Sequence, residues 1–267
     1  MVDSSSGAPL VADYSEWQAR DYYQTYYSEV VLPDEQAVLA YQLEVLRSRR
    51  ERFGRALEYG CGPTLHRAIA SAPYAFRIDM SDWLAGNLAA VREWLAADPD
   101  NEDWTRFTHY VLSCEGRRPD ATRIRQREAK TRKVVRGLFV SDARWRHPLG
   151  RERDGFYDLL LSGFCLDAIS ADKRVWRRCM RNVTSMIAPG GTVILHFLHR
   201  CRAYKVGNRM FPGSNLSVDD VARALRDLGF RRDSIDVQVI PCPQNAEYGY
   251  AGILTASAVR ATAGSDG

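Results

Sequence analysis

Leu57-Glu58-Tyr59-Gly60-Cys61-Gly62-Pro63-Thr64, followed by Arg77-Ile78-Asp79, is the stretch that decides the fold. Ala56 to Tyr59 reads as a short buried strand, and Thr64 to Ser71 reads as a helix. Between them, Gly60 and Gly62 let the chain turn tightly with its backbone close to a ligand. Asp79 lies 19 residues after Gly60 at the end of the next apolar run, the spacing at which an acid accepts both hydroxyls of a ribose. Leu65 stands where a dinucleotide fingerprint needs its third glycine, so a pyrophosphate is disfavoured. The expected ligand is a nucleoside cofactor. The competing reading is a plain structural turn, since glycine turns follow strands throughout α/β proteins.

Outward from this turn, strand-like runs alternate with helix-like segments. The runs are Ala56 to Tyr59, Ala75 to Asp79, Phe107 to Leu112, Tyr157 to Ser162, Thr192 to Leu198, Ile235 to Ile240 and Gly252 to Val259. Such alternation predicts a parallel sheet with helices on both faces. Leu84, Leu88, Val91 and Leu95 mark a helix over Trp83 to Ala96, and Val175, Cys179, Val183 and Ile187 mark another. Ser217 with Asp220 predicts a capping box, and the helix it opens closes at Gly229. Pro241 to Ala251 is too short for a crossover helix, so the last two strands are expected to form an antiparallel hairpin. Before Ala56, Tyr14, Trp17, Tyr22, Tyr23, Tyr26 and Tyr27 crowd one segment, followed by a helical stretch from Asp34 to Arg52. This region reads as a lid. The expected organisation is an N-terminal helical cap over 1–52, a Rossmann-like α/β domain over 53–260 and a flexible tail over 261–267.

The 267 residues, 45% hydrophobic and 26% charged, describe an ordinary globular chain rather than a disordered one. No apolar run reaches the roughly 18 residues of a membrane span, and Met1 to Asp13 lacks the order of an export signal. Cys61, Cys114, Cys165, Cys179, Cys201 and Cys242 are scattered without a CxxC pair, which predicts reduced thiols, a cytoplasmic location, and neither disulfides nor zinc. The net charge of +4 is concentrated in Arg117 to Arg136. Ile124, Val134, Val135 and Leu138 make that segment one apolar stripe of a surface helix with a solvated basic face, rather than a nucleic-acid patch.

Several motifs together resemble the nicotinamide, phenylethanolamine and indolethylamine N-methyltransferase family, over most of the chain. Arg20-Asp21-Tyr22 with Tyr26-Tyr27 is similar to its N-terminal tyrosine motif, Gly60-Cys61-Gly62-Pro63-Thr64 to its glycine loop, and Asn87-Leu88 to the asparagine-leucine that follows its ribose acid. Cys165-Leu166-Asp167-Ala168 and Pro189-Gly190-Gly191 are close to literal matches. The resemblance implies a class I methyltransferase sheet of seven strands, S-adenosylmethionine as cofactor, a small-molecule substrate, no nucleic acid or membrane partner, and a monomer or homodimer. It implies that Tyr22, Tyr27, Gly60, Cys61, Gly62, Thr64 and His66 surround the cofactor, with Asp79 on the ribose. Met80, Asn87, Asp142, Ala143 and Gly163 complete that shell, Asp142 on the adenine amine. The chemistry is consistent with this: a sulfonium needs an electron-rich wall, which tyrosine faces supply. An in-line methyl transfer needs only collinear reactants and excluded water.

The chain also departs from the family. Its amine- and pyridine-methylating members carry a substrate carboxylate after the fifth strand, and the position matched to it here is Phe197. Cys201, Tyr204, Glu247 and Tyr248 are the other implied substrate contacts, Glu247 partly replacing the lost acid. This favours a non-cationic or aromatic acceptor, with nitrogen the expected target. Tyr22, His196 and His199 are the catalytic candidates, the histidines as general bases should the acceptor be oxygen or carbon. The alternatives are methylation of RNA through the basic segment, and a cofactor-binding protein without turnover.

Overall fold

The computed structural model describes residues 12–15 and 17–262. Helices α1 (Ala19–Tyr26) and α2 (Pro33–Ser48) precede the first strand, β1 (Phe53–Tyr59). Then come α3 (His66–Ser71), β2 (Ala75–Asp82), α4 (Ala85–Leu95), α5 (Thr105–Cys114), α6 (Ala121–Val134) and β3 (Val135–Val140). β4 (Tyr157–Gly163), α7 (Lys173–Thr184), β5 (Ile187–Leu198), β6 (Ala203–Val206), β7 (Arg209–Pro212), α8 (Val218–Asp227), β8 (Asp236–Pro241) and β9 (Gly252–Val259) complete the chain. The main sheet runs β3-β2-β1-β4-β5-β9-β8. Its first five strands are parallel, and β9 pairs antiparallel with both β5 and β8. The Rossmann-like sheet with its closing hairpin is therefore present. β6 and β7 form a separate ribbon that the sequence did not announce.

The strand order reverses between β1 and β4, and in open α/β sheets ligands bind outside the carboxyl ends of the strands at that switch. One face of the sheet is covered by α2 to α6, with Leu39, Ile69, Val91 and Phe107 packed on Ala56, Ile78 and Ile194. The other is covered by α7 and α8, where Trp176, Met180 and Leu225 pack on Leu160, Leu195 and Phe197. Side chains alternate along a strand, so His196 and Phe197 face opposite layers.

Local chemistry explains most element boundaries. Pro33 opens α2 at a position whose N–H has no helical partner, and Asp34 and Glu35 occupy its positive first turn. Ser217 and Asp220 form the expected capping box of α8. Two expectations fail. Phe107 to Leu112 lies within α5, where Phe107 and Val111, and Thr108 and Leu112, repeat at i,i+4 and bury one face. The third strand is instead Val135–Val140, which follows α6 without a loop, so Val135 and Leu138 belong to the sheet and not to a helical stripe. Among the described residues, no helix is long and apolar enough to cross a membrane. Of the tail expected over 261–267, all but residues 261 and 262 lies outside the described residues.

Candidate functional site

A cavity opens at the carboxyl ends of β1, β2, β3, β4 and β5, under the aromatic segment that precedes α2. Its floor is the turn after β1. Gly60 and Gly62 adopt φ of +65° and +58°, which non-glycine residues disfavour. A Cβ on Gly60 would overlap Cys165 Sγ, so the turn and the turn after β4 approach as closely as they do only because Gly60 lacks a side chain.

Asp82 ends β2 and lines this cavity. Its carboxylate accepts Gly62 N–H at 2.8 Å, Leu84 N–H at 2.9 Å and Asn87 Nδ2 at 3.0 Å, so it clasps the glycine turn to the start of α4. Burial raises its pKa, with those three donors working against the rise. Asp79 is different. It is fully buried, does not line the cavity, and is occupied by Arg77 Nε at 2.9 Å, Arg153 at 3.1 Å and Tyr157 OH at 3.0 Å. The structure thus places Asp82, and not the expected Asp79, on the cavity: three residues at about 3.3 Å each set Asp79 roughly 10 Å back from the strand end. Two polar residues, Ser81 and Asp82, conceal how far the strand runs; the signal for Asp82 was Asn87, five residues on.

Tyr22, Tyr27, Gly60, Cys61, Gly62, Thr64, Asn87, Asp142, Ala143 and Gly163 all line the cavity. Burial raises the pKa of Asp142, but hydrogen bonds from Arg144 outweigh it and hold the carboxyl below its ordinary value. Met80 and His66 do not line it: Met80 lies in the core, and His66 stacks on Trp104 behind Tyr27. Burial and the neighbouring Arg67 lower the pKa of His66 to about 4, leaving a neutral ring 3.3 Å from Glu35.

The N-terminal wall of the cavity is built from Tyr14, Trp17, Tyr22, Tyr26 and Tyr27. Tyr14 stacks on Phe211 of β7 at 5.2 Å and donates to the carbonyl of Ala168 at 3.2 Å. Trp17 Nε1 donates to Asn87 Oδ1 at 3.0 Å, and Tyr26 donates to the carbonyl of Lys205 in β6. The segment is therefore strapped to the β6–β7 ribbon, to the turn after β4 and to α4. Burial raises the Tyr22 pKa to about 12, so the phenol is neutral.

The expected substrate residues divide. Tyr204 lines the cavity and stacks on Phe211 at 5.6 Å. Phe197 packs against Trp176 in the opposite layer, so the residue of β5 that faces the site's side of the sheet is His196, a one-residue correction imposed by the pleat. Cys201 is buried beside the ribbon, Tyr248 touches Tyr26, and Glu247 is exposed; none of the three lines the cavity. His196 is buried and outside the lining, its pKa lowered to about 3 by burial and by Arg67. His199, half-buried, also lies outside it, and burial lowers its pKa. Neither histidine is positioned as a base. Asp167 accepts Leu198 N–H at 2.8 Å and so ties the turn after β4 to the end of β5.

Two carboxylates went unnoticed in the sequence. Asp34 and Glu35, in the first turn of α2, both line the cavity. Glu35 accepts Tyr27 OH at 3.2 Å and stays ionised, the cost of burial being outweighed by His66 and by Arg67. Arg67 also lines the cavity, 3.6 Å from Glu58, whose pKa burial pushes up to about 7 against the pull of that cation. No spacing rule could have linked α2 to the strand ends, because only the packing of α2 on α3 and the sheet brings them together.

Comparison with known proteins agrees with this geometry. The model of the NNMT/PNMT/TEMT family matches residues 10–258. Indolethylamine N-methyltransferase of Mus musculus is 27% identical over 81% of this chain and 83% of its own length. Nicotinamide N-methyltransferase of Homo sapiens is 27% identical over 68% of this chain and 67% of its own. The structure of Burkholderia thailandensis 1,6-didemethyltoxoflavin-N1-methyltransferase, solved with S-adenosylhomocysteine, superposes with a TM-score of 0.55 over 98% of both chains at 15% identity, a likeness of fold. With the family model spanning nearly every described element, this chain belongs to the NNMT/PNMT/TEMT family of S-adenosylmethionine-dependent methyltransferases.

Proposed function

We propose that the protein methylates a nitrogen of a small molecule inside this cavity. The observation that carries the reading is the continuity of the cavity: it joins the glycine turn and Asp82 to a chamber walled by Tyr22, Tyr26, Tyr204 and Tyr250. The residues present fit the cofactor. The Gly60–Gly62 backbone, held by Asp82, lines the cavity where an amino-acid-bearing nucleoside would lie, and Asp82 keeps acceptor capacity for a ribose hydroxyl. Asp142 and Ala143 form the wall suited to the adenine, and Tyr22 and Tyr27 the wall suited to the sulfonium end. When bound, S-adenosylmethionine supplies an electrophilic methyl group.

The chain's own contribution is positional. The tyrosine strap excludes water and confines the acceptor, and confinement in a near-attack arrangement is worth several orders of magnitude in rate. A nitrogen acceptor must present a lone pair; with His196 and His199 outside the lining, no imidazole base supports oxygen or carbon as the target. Enclosure beneath the lid likewise favours a small acceptor over RNA. The test is calorimetric titration with S-adenosylhomocysteine, followed by transfer of labelled methyl from the cofactor to a panel of amines, pyridines and indoles. Micromolar binding and a methylated small molecule are expected. Failure of the folded protein to bind S-adenosylhomocysteine would overturn the reading.

A further inference from the structure

Asp34 carries an atom that the fold leaves unsatisfied. The residue is only 4% exposed, and its Oδ2 accepts Asn245 Nδ2 at 2.5 Å and Tyr250 OH at 3.3 Å. Its Oδ1 is buried and accepts no hydrogen bond, although Asp34 lines the cavity. A buried acceptor without a donor costs roughly 1–3 kcal/mol, more when ionised, and persists in a native fold where something else supplies the donor. The same wall carries Tyr26 and Tyr250, both large rings within the electrostatic reach of Asp34.

A structural role accounts for half of this carboxyl. Asn245 and Tyr250 belong to the turn between β8 and β9, and Oδ2 fastens that turn to α2. Fastening needs one oxygen, and it leaves the other buried and without a donor in a residue that lines the chamber. Burial and the adjacent Glu35 raise the pKa of Asp34, while the N–H groups of the α2 first turn partly offset the rise. The charge is thus disfavoured until a partner arrives. A cation that donates to Oδ1 relieves the desolvation and the repulsion from Glu35 together, and tyrosine faces around it add attraction of their own.

We infer that Asp34 is the substrate-recognising acid of this enzyme, and that the acceptor molecule carries, apart from the lone pair that takes the methyl group, a cationic nitrogen group held by Asp34 Oδ1 among Tyr26 and Tyr250. This rests on the reading of the cavity as a methyl-transfer site and narrows its substrate class. It replaces the expectation of a non-cationic acceptor, which followed from the lack of an acid after β5: the acid enters from α2 instead. Glu247, the other acid considered for that task, is exposed and outside the chamber.

The experiment compares 2-phenylethylamine, a cation at neutral pH, with its neutral isostere 2-phenylethanol, by calorimetry on protein saturated with S-adenosylhomocysteine. The amine is expected to bind wild type at least tenfold more tightly than the alcohol. In Asp34→Asn, amine affinity is expected to fall roughly 10- to 100-fold with the alcohol within about threefold, the change of one charge-assisted hydrogen bond. Equal binding of the two probes to wild type, or an amine affinity indifferent to Asp34→Asn, overturns the inference. The wild-type comparison stands by itself should the variant not fold. Titration with S-adenosylhomocysteine alone separates the two levels: its failure removes the methyl-transfer reading, whereas its success with indifferent probes removes only the role of Asp34.

Discussion

Asp79 and Asp82 lie three residues apart on one strand, and the structure predicts that removing them damages different properties. Asp82→Ala deletes a carboxylate that lines the cavity and holds the Gly62, Leu84 and Asn87 donors. With three of its roughly four acceptor positions filled, Asp82 has one left for a ribose hydroxyl, and one charge-assisted hydrogen bond of about 1.5–3 kcal/mol amounts to roughly 10- to 150-fold in affinity for S-adenosylhomocysteine. Asp79→Ala deletes a fully buried carboxylate with no access to the cavity. It strands the buried Tyr157 hydroxyl, which costs about 1–3 kcal/mol. Arg153 and Arg77, with side chains 20% and 42% exposed, recover part of their solvation, so their loss is discounted to about 1 kcal/mol together. The sum, about 3 kcal/mol, corresponds to a fall in Tm of roughly 6–12 °C in a chain of this size. Calorimetric titration and thermal unfolding on both variants decide the matter. An Asp79→Ala protein of unchanged Tm that has lost tenfold or more in affinity would refute the reasoning, as would an Asp82→Ala protein that binds normally.

Gly60→Ala and Gly62→Ala both place a side chain at positive φ, costing about 1–2 kcal/mol each, but only at Gly60 does the new Cβ meet Cys165; at Gly62 the nearest atom is 3.9 Å away. Gly60→Ala is therefore expected to lower Tm and cofactor affinity more than Gly62→Ala, and equal effects in thermal unfolding and titration would contradict the overlap. Burial pushes the pKa of Asp167 up to about 7 from 3.8, so between those values the folded chain holds a proton that the unfolded chain does not. Its contribution to stability is present below about pH 4 and is lost as pH rises through about 7. Urea unfolding is expected to show Asp167→Asn gaining on wild type by a few kcal/mol between pH 5 and pH 8, and parallel pH profiles would exclude the raised pKa.

The legible parts of the chain were those where one short segment contains its own explanation. The glycine turn needs positive φ at Gly60 and Gly62, and only a pattern of that kind at a strand end produces it. The capping box of α8 and the hairpin of β8 and β9 are equally local. Misreadings arose where local signals were ambiguous. Six residues from Phe107 to Leu112 fit strand or helix, and the pattern could not decide between them. The third strand was hidden because α6 runs into it directly, its basic residues extending the helical reading through Val135.

By itself, the sequence determined the class of sheet, the glycine turn at the end of β1 and the tyrosine-rich character of the N-terminal segment, because each depends on residues close together in the chain or on a motif of fixed spacing. Tertiary structure alone decided which acid of β2 reaches the cavity, which face of β5 turns toward its side of the sheet, and that Asp34 and Glu35 enter it from α2. Those outcomes depend on where a strand ends, on the parity of the pleat and on how a helix packs across the sheet. Each is fixed by burial over the whole domain, which no local spacing encodes.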